Sequence, residues 1–225
     1  VIWHIMKIYS FYGHKDFIIC CGYKGYLIKE YFANYFLHSS DVTIDIKKNK
    51  INVHQNKGED WKVTLVNTGE ETLTGGRILR IKKFIDGDFL MTYGDGVANV
   101  DINKLINAHK KNKKLATITV VTPQIRFGMV NISKENIVKN FIEKPKTNSS
   151  LINGGFFVFK KEIFKYLKDD FTIWEKEPLE KLSKNRELVS FHHKGFWYAM
   201  DTLREKNYLE SLWTDGKAPW KIWND

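Results

Sequence analysis

Cysteine is nearly absent from this chain, and its two residues stand side by side, Cys20 and Cys21 in the run FIICC. Neighbouring cysteines rarely bridge each other and the spacing is not that of a metal site, so buried, reduced thiols are expected. Long apolar runs are missing too, since none approaches the roughly 18 residues of a membrane span. The opening VIWHIMKIYS mixes helix-period apolar positions with polar ones and has no signal-peptide cleavage site. These absences lead to the expectation of a soluble, cytoplasmic protein with no membrane partner. There is also no internal repeat and no disordered linker. A net charge of +10 could serve nucleic acid. Yet the lysines are scattered through KKNK (Lys47 to Lys50), KK (Lys82, Lys83), HKKNKK (His109 to Lys114) and KK (Lys160, Lys161). No basic stripe is interleaved with aromatics and no nucleic-acid motif occurs, so no nucleic-acid partner is expected. The surplus charge reads as solvated faces, with a remainder that could draw in anionic substrates.

What is present is an alternation of short β-branched or aromatic runs with longer amphipathic segments, carried by 225 residues of which 43% are hydrophobic. That pattern predicts βα units feeding a largely parallel sheet, in one domain large enough to bury a sizeable core. Strands are expected at 16–21, 63–66, 89–93, 115–122, 128–132, 137–143, 154–159, 188–192 and 196–200. Helices are expected over 24–36, with Leu27, Ile28, Tyr31, Phe32 and Tyr35 as a core stripe, and over 102–113, with Leu105, Ile106 and His109. A third is expected over 201–213, with Leu203, Tyr208, Leu209 and Leu212 inward. Period-two alternation on both sides of a Lys/Asn turn between Val42 and Asn56 predicts an appended hairpin. Adjacent His192 and His193 point to opposite faces of a strand, which predicts one packed and one exposed rather than a zinc site.

Five segments place small residues and charges without an obvious packing reason. An apolar strand running into Tyr93-Gly94-Asp95-Gly96 and then a helix would deliver Asp95 to the carboxyl edge of a sheet, the usual ligand crevice of an open α/β fold. Glycines on both sides allow unusual backbone angles and the close approach of an anion, and a carboxylate there suits Mg²⁺, though Gly-Asp-Gly is equally ordinary turn composition. Thr74-Gly75-Gly76-Arg77 combines close backbone approach with a guanidinium able to clamp phosphate, or is simply a helix entry. Glu143 and Lys144, before Pro145, offer an acceptor for sugar hydroxyls beside a point charge for phosphate, or an exposed turn. Asn153, Gly154 and Gly155 stand at the mouth of a strong strand, where a sugar could lie against bare backbone or a β-bulge could form. Asp201 stands at a strand-to-helix junction, as metal ligand or as helix N-cap.

In this order, together with VIWHIMK, FIICCGYKGYLIKEYFANYFLHSSDVT, WEKEPL and GKAPWKIW, these segments resemble the sugar-nucleotide pyrophosphorylases over essentially the whole chain, and within them the branch that uses CTP. The resemblance implies a Rossmann-like α/β fold, a mixed and mostly parallel sheet flanked by helices with a small hairpin insertion at about 41–56. It implies CTP and glucose 1-phosphate as substrates, giving CDP-glucose and pyrophosphate for bacterial surface polysaccharide of the O-antigen type, with Mg²⁺ as cofactor. Asp95 and Asp201 would hold the metal, Asp95 and Lys144 would act catalytically, and Lys144 would meet the sugar phosphate. Glu143, Asn153, Gly128 and Gly154 would face the glucose. Thr74, Gly75, Gly76, Arg77 and Gly94 would lie along the nucleotide, and Cys21 and Gly22 would approach the base.

The family's first strand, its G-x-G-T-R loop and its Lys-Pro element do not occur, and Val1 falls where the family has its first helix. A single nucleotidyltransferase domain over 1–225, short of its N-terminal segment, is therefore expected. The alternatives are a noncatalytic nucleotide-sugar-binding or assembly subunit, and a nucleotidyltransferase using another NTP. A metal-dependent glycosyltransferase is disfavoured because Asp95 is followed by Gly96 and Val97 rather than completing a D-x-D motif. Trp213, Trp220 and Trp223 either pack in the core or form an aromatic face that another subunit covers, and a homo-oligomer is expected.

Overall fold

The computed structural model describes residues 1–54, 58–123, 129–142 and 151–224. The chain enters through helix α1 (Ile2–Phe11), whose Ile5, Ile8 and Tyr9 recur at helical spacing and are buried. Strand β1 (Asp16–Cys21) is followed by α2 (Gly25–Ala33), α3 (Tyr35–Ser39), the hairpin β2 (Asp41–Asp45) and β3 (Lys50–His54), and β4 (Lys62–Asn67). Then come α4 (Thr74–Arg80), β5 (Phe89–Thr92), β6 (Gly96–Ala98), α5 (Ile102–Asn112) and β7 (Ala116–Val121). The rest comprises β8 (Met129–Ile132), β9 (Val138–Ile142), β10 (Ile152–Phe159), a 3-10 segment Lys161–Tyr166, α6 (Glu177–Lys184), β11 (Leu188–His193), β12 (Trp197–Ala199) and α7 (Leu203–Thr214).

A four-stranded sheet of order β11-β7-β10-β5 forms the centre. Strand β10 runs antiparallel to both β5 and β7, whereas β11 is parallel to β7 and β1 is parallel to β4, so the fold is mixed α/β. Alternation along β10 explains how both faces of that sheet are covered, because successive side chains point to opposite sides. Phe156 and Val158 join Ile8, Tyr9, Ile102, Leu105, Leu209, Trp220 and Trp223 in one core. Phe157 and Phe159 join Ile78, Ile163, Leu182 and Trp174 in the other. Each fully buried aromatic or aliphatic side chain contributes about 1.5–3 kcal/mol relative to exposure.

Several expectations are met and several are corrected. In α5, Leu105 and His109 are buried as its periodicity predicts, and Asp101 caps it by accepting from the Lys104 N–H at 2.9 Å. In α2 the expected core stripe is only half-covered, and Leu27 is 48% exposed. In α7, Leu209 is buried, but Leu203 is 71% exposed and Tyr208 is turned outward with it. Periodicity marks a face that can be buried; what that face meets depends on neighbours that a local pattern does not specify. The tryptophans resolve toward packing, since Trp220 and Trp223 are buried and Trp213 is half-buried. Among the described residues no helix is long and apolar enough to cross a membrane.

Candidate active site

A cavity of about 170 Å³ lies where β5, β6, β10 and β12 converge, lined by Thr92, Tyr93, Asp95, Gly96, Asn153, Gly154, Gly155, Phe156, Trp197 and Ala199. Four residues singled out from the sequence, Asp95, Asn153, Gly154 and Gly155, are brought together there. The stretch around Asp95 differs from expectation in one respect. Between β5 and α5 the chain forms β6, which pairs antiparallel with β12 in the register Gly96↔Ala199. Asp95 therefore stands at the end of a two-stranded ribbon rather than at a strand-to-helix turn, and its carbonyl accepts the Met200 N–H at 2.7 Å. That bond places Asp95 beside Met200, the residue before Asp201, so the two aspartates segregated in sequence reach the same ribbon end.

Among the described residues neither aspartate has a structural occupation for its carboxylate. Asp201 is not the helix cap: Thr202 caps α7, its hydroxyl accepting from the Glu205 N–H while the Glu205 carboxylate accepts the N–H groups of Asp201 and Thr202, both at 2.8 Å. Asp95 and Asp201 are exposed, and among the described residues neither carboxylate has a hydrogen bond or ion pair. Two unpaired carboxylates open to solvent fit a hard cation that takes one or two protein oxygens and fills its octahedron with water and phosphate oxygens. Gly94 and Gly96 are not among the residues of positive φ, so the expected unusual backbone angles are absent. A Cβ at 94 would meet no described atom within 4 Å, so packing does not require glycine there.

Asn153 shapes the mouth of β10. Its Oδ1 accepts the Gly155 N–H at 2.8 Å, its Nδ2 donates to the Tyr93 hydroxyl at 3.2 Å, and the register against β7 shifts between Asn153 and Phe157. The bulge is thus real, and Gly155 needs its glycine: φ is +78° and a Cβ would lie 2.8 Å from the Tyr93 ring. Trp197 closes the wall by donating from Nε1 to the Gly154 carbonyl at 2.7 Å.

The expected nucleotide-lining residues have structural partners. Arg77 donates to the Thr68 hydroxyl at 2.8 Å and to the Gly69 and Glu70 carbonyls at 2.9 and 3.1 Å, which occupies its guanidinium as a staple of the 68–70 loop. Gly22 is what lets it lie there, since a Cβ would fall 2.4 Å from Arg77 Nη1. The N–H groups of Gly75 and Gly76 both donate to the Thr172 carbonyl, and a Cβ on Gly76 would fall 2.4 Å from the Asp170 carbonyl oxygen. The close approach anticipated toward a nucleotide is made by the chain's own backbone. The Thr74 hydroxyl donates to Glu175 at 2.6 Å and accepts the Trp174 N–H at 2.9 Å. Cys21 is 2% exposed, its carbonyl accepts from Thr68, and burial raises the pKa of its thiol, so that side chain is closed to a base. Burial likewise pushes the Cys20 thiol up to about 11, leaving both as protonated packing residues, as their spacing suggested. Gly128, Glu143 and Lys144 lie outside the described residues.

Sequence reasoning passed over three residues of this site: Tyr93, Glu175 and Trp197. Glu175 lies within WEKEPL, which contributed to the resemblance without a role. Its local sequence carries no signal of a role, since Glu175 is one of three acids in WEKEPLE ahead of a helix. Burial, and then Glu175, raise the Tyr93 pKa, so the phenol is a neutral donor.

The structure is a mixed α/β sheet covered on both faces, with two exposed carboxylates beside a glycine-walled cavity. The chain is a member of the nucleotidyl transferase family, whose pattern it matches over residues 25–215. It is 54% identical over 225 residues to the glucose-1-phosphate cytidylyltransferase of Salmonella typhimurium, covering 99% of this chain and 87% of the relative. It is 41% identical over the same shares to a probable glucose-1-phosphate cytidylyltransferase of Bacillus subtilis. Among solved structures, HddC from Yersinia pseudotuberculosis superposes with a TM-score of 0.63 at 19% identity, covering 92% of this chain and 82% of that one. A UDP-glucose pyrophosphorylase complexed with UDP-glucose gives 0.62 at 14% identity, covering 95% and 86%. At such identities these two show the fold alone.

Proposed function

We propose that the chain transfers the cytidylyl group of CTP to glucose 1-phosphate, forming CDP-glucose and releasing pyrophosphate. The observation that carries this reading is the likeness to the Salmonella enzyme along nearly the whole chain, site segments included. The cavity lining does not single out cytosine, so the base is assigned by that likeness. A phosphate oxygen of the sugar phosphate attacks the α-phosphorus of CTP in line, and the protein's task is to bring two anions together and offset the developing charge. Mg²⁺ belongs to the same reading: held by Asp95 and Asp201, it would supply several kcal/mol of transition-state charge stabilisation. The bare backbone at Gly154 and Gly155, with the remaining Asn153 N–H, suits the sugar ring, and Glu143, Gly128 and Lys144 complete the proposed set. A cytoplasmic location and a role in bacterial surface polysaccharide are proposed with it. A homo-oligomer is also proposed, supported by the exposed Ile44, Ile46, Ile51 and Val53 of the hairpin region.

The test is pyrophosphate release with glucose 1-phosphate and Mg²⁺, comparing CTP with UTP, dTTP, ATP and GTP. Release confined to CTP is expected, and a preference for another nucleotide would refute the base assignment. Asp95→Ala and Asp201→Ala should each lower turnover by orders of magnitude while leaving the circular-dichroism spectrum unchanged. Near-normal turnover in either would remove that residue from the metal site.

A further inference from the structure

Two distant segments meet on Glu175, and a third is linked to it through Tyr93, without the sequence announcing it. One carboxylate oxygen accepts from the Thr74 hydroxyl at the start of α4, at 2.6 Å, and the other accepts from the Tyr93 hydroxyl after β5, at 2.5 Å. The Tyr93 oxygen in turn accepts from Asn153 Nδ2 at 3.2 Å, and Asn153 Oδ1 accepts the Gly155 N–H at 2.8 Å. The directions in this chain are forced. A phenol has a single proton, and a carboxylate without a proton can only accept, so the Tyr93 proton points at Glu175 and its oxygen is left as an acceptor. That acceptor requires the amide of Asn153 to present its nitrogen, not its oxygen, and the Gly155 N–H requires the same orientation from the other side. Asn153 is therefore left with one N–H that has no partner among these residues, at a position lining the cavity.

We propose that Glu175 is a positioning residue for the sugar subsite: acting through Tyr93, it fixes the Asn153 amide so that its remaining N–H is offered to a hydroxyl oxygen of the sugar phosphate. This rests on the reading of the chain as a sugar-1-phosphate nucleotidyltransferase. Among the described residues Glu175 does not line the cavity, whereas Tyr93 and Asn153 do, so its effect on the sugar is routed through those two side chains. Without the carboxylate, the phenol proton can turn toward Asn153 and oppose its Nδ2, leaving the Gly155 N–H to hold the amide without the bond to Tyr93, so the remaining N–H is aimed at the sugar less firmly.

The experiment is a steady-state comparison of wild type, Glu175→Ala, Glu175→Gln, Tyr93→Phe and the Glu175→Ala/Tyr93→Phe double variant, with melting temperature measured for each. Glu175→Ala should raise KM for glucose 1-phosphate about tenfold, with KM for CTP within twofold of wild type and kcat reduced less than threefold. Glu175→Gln should recover most of the loss, because its amide oxygen can take the Tyr93 proton while its nitrogen donates to Thr74. The double variant should be no worse than the worse single variant, since both act through one amide. An unchanged sugar KM in a folded Glu175→Ala protein would overturn the proposal. So would a parallel change in both KM values and melting temperature, which would make Glu175 a brace for the fold, and so would a Gln variant no better than Ala. Wild type that releases no pyrophosphate from CTP and glucose 1-phosphate would bring down the underlying reading, and this inference with it; wild-type activity with insensitive variants would bring down the inference alone.

Discussion

The two ends of the sheet system are built on different terms. Strand β10 contributes six consecutive buried residues, Gly154 to Phe159, whereas between residues 22 and 54 Gly25 is the one buried residue, across two helices and a hairpin. Both stretches have apolar patterning, so the difference does not come from composition. β10 is flanked by β5 and β7 and covered on both faces, so each side chain finds a neighbour whichever way it points. Among the described residues the hairpin β2–β3 pairs only with itself, and in its one-sided ladder Ile44, Ile51 and Val53 are exposed while Val42 is partly covered. The proposed chemistry sits on the first kind of structure. Asp95, Asn153 and Gly154 are carried by strands that a dense core immobilises, as a site needing fixed geometry requires.

The largest effect that would sharpen this contrast is Phe157→Ala. Phe157 is 0% exposed and contacts the rings of Tyr93, Phe159 and Trp174. Truncation should cost about 3–5 kcal/mol by urea unfolding, and because Tyr93 loses its packing partner, the residual folded enzyme should also lose sugar affinity. A loss under about 1 kcal/mol would mean that the central sheet is no better packed than the hairpin.

A smaller, pH-dependent effect belongs to the seam between α1 and the C-terminal segment. His4 lies among Trp3, Trp213, Trp220 and Trp223, with ring centroids 4.4 to 6.4 Å away, and its Nδ1 accepts from Trp220 Nε1 at 3.3 Å. Burial lowers its pKa from 6.5 to about 4. The unfolded chain thus takes up a proton at higher pH than the folded one, so stability is intact above about pH 6.5 and falls as the pH drops toward 4. Melting temperature followed across that window should show a decline that His4→Phe flattens. An identical decline in the variant would assign the acid sensitivity to other groups.

Much of this contrast was legible in the sequence, and the part that was not has a physical cause. Strands with strong alternation fell where expected, down to His193 buried and His192 exposed on β11. Asp95 and Asp201 stand out in the sequence because a carboxylate between glycines, or at a strand's end, has no packing reason to be there, and among the described residues their carboxylates make no hydrogen bond or ion pair. Arg77 and the glycines of TGGR are ambiguous for the opposite reason. Close approach and a clamping guanidinium are read equally well by a nucleotide or by the chain's own loops, and here Gly69, Glu70 and Thr172 supply the carbonyls. Glu175 was invisible because its partners, Thr74 and Tyr93, are 101 and 82 residues away in sequence. A local reading has no access to a pairing of that range.

The smallest expected effect tests the other end of the comparison. Ile44 and Ile51 face each other across the hairpin, 51% and 47% exposed, so replacing them removes little buried surface. Ile44→Ser and Ile51→Ser should each change unfolding stability by no more than about 0.5 kcal/mol at low protein concentration, as surface substitutions do. The same pair measured at high concentration separates two meanings of that exposure. If the apolar ladder is covered by a second copy of the chain, wild type gains stability with concentration through mass action and the serine variants do not. A concentration-independent loss above about 1 kcal/mol would instead place the ladder against the rest of its own chain and erase the distinction between the hairpin and the core.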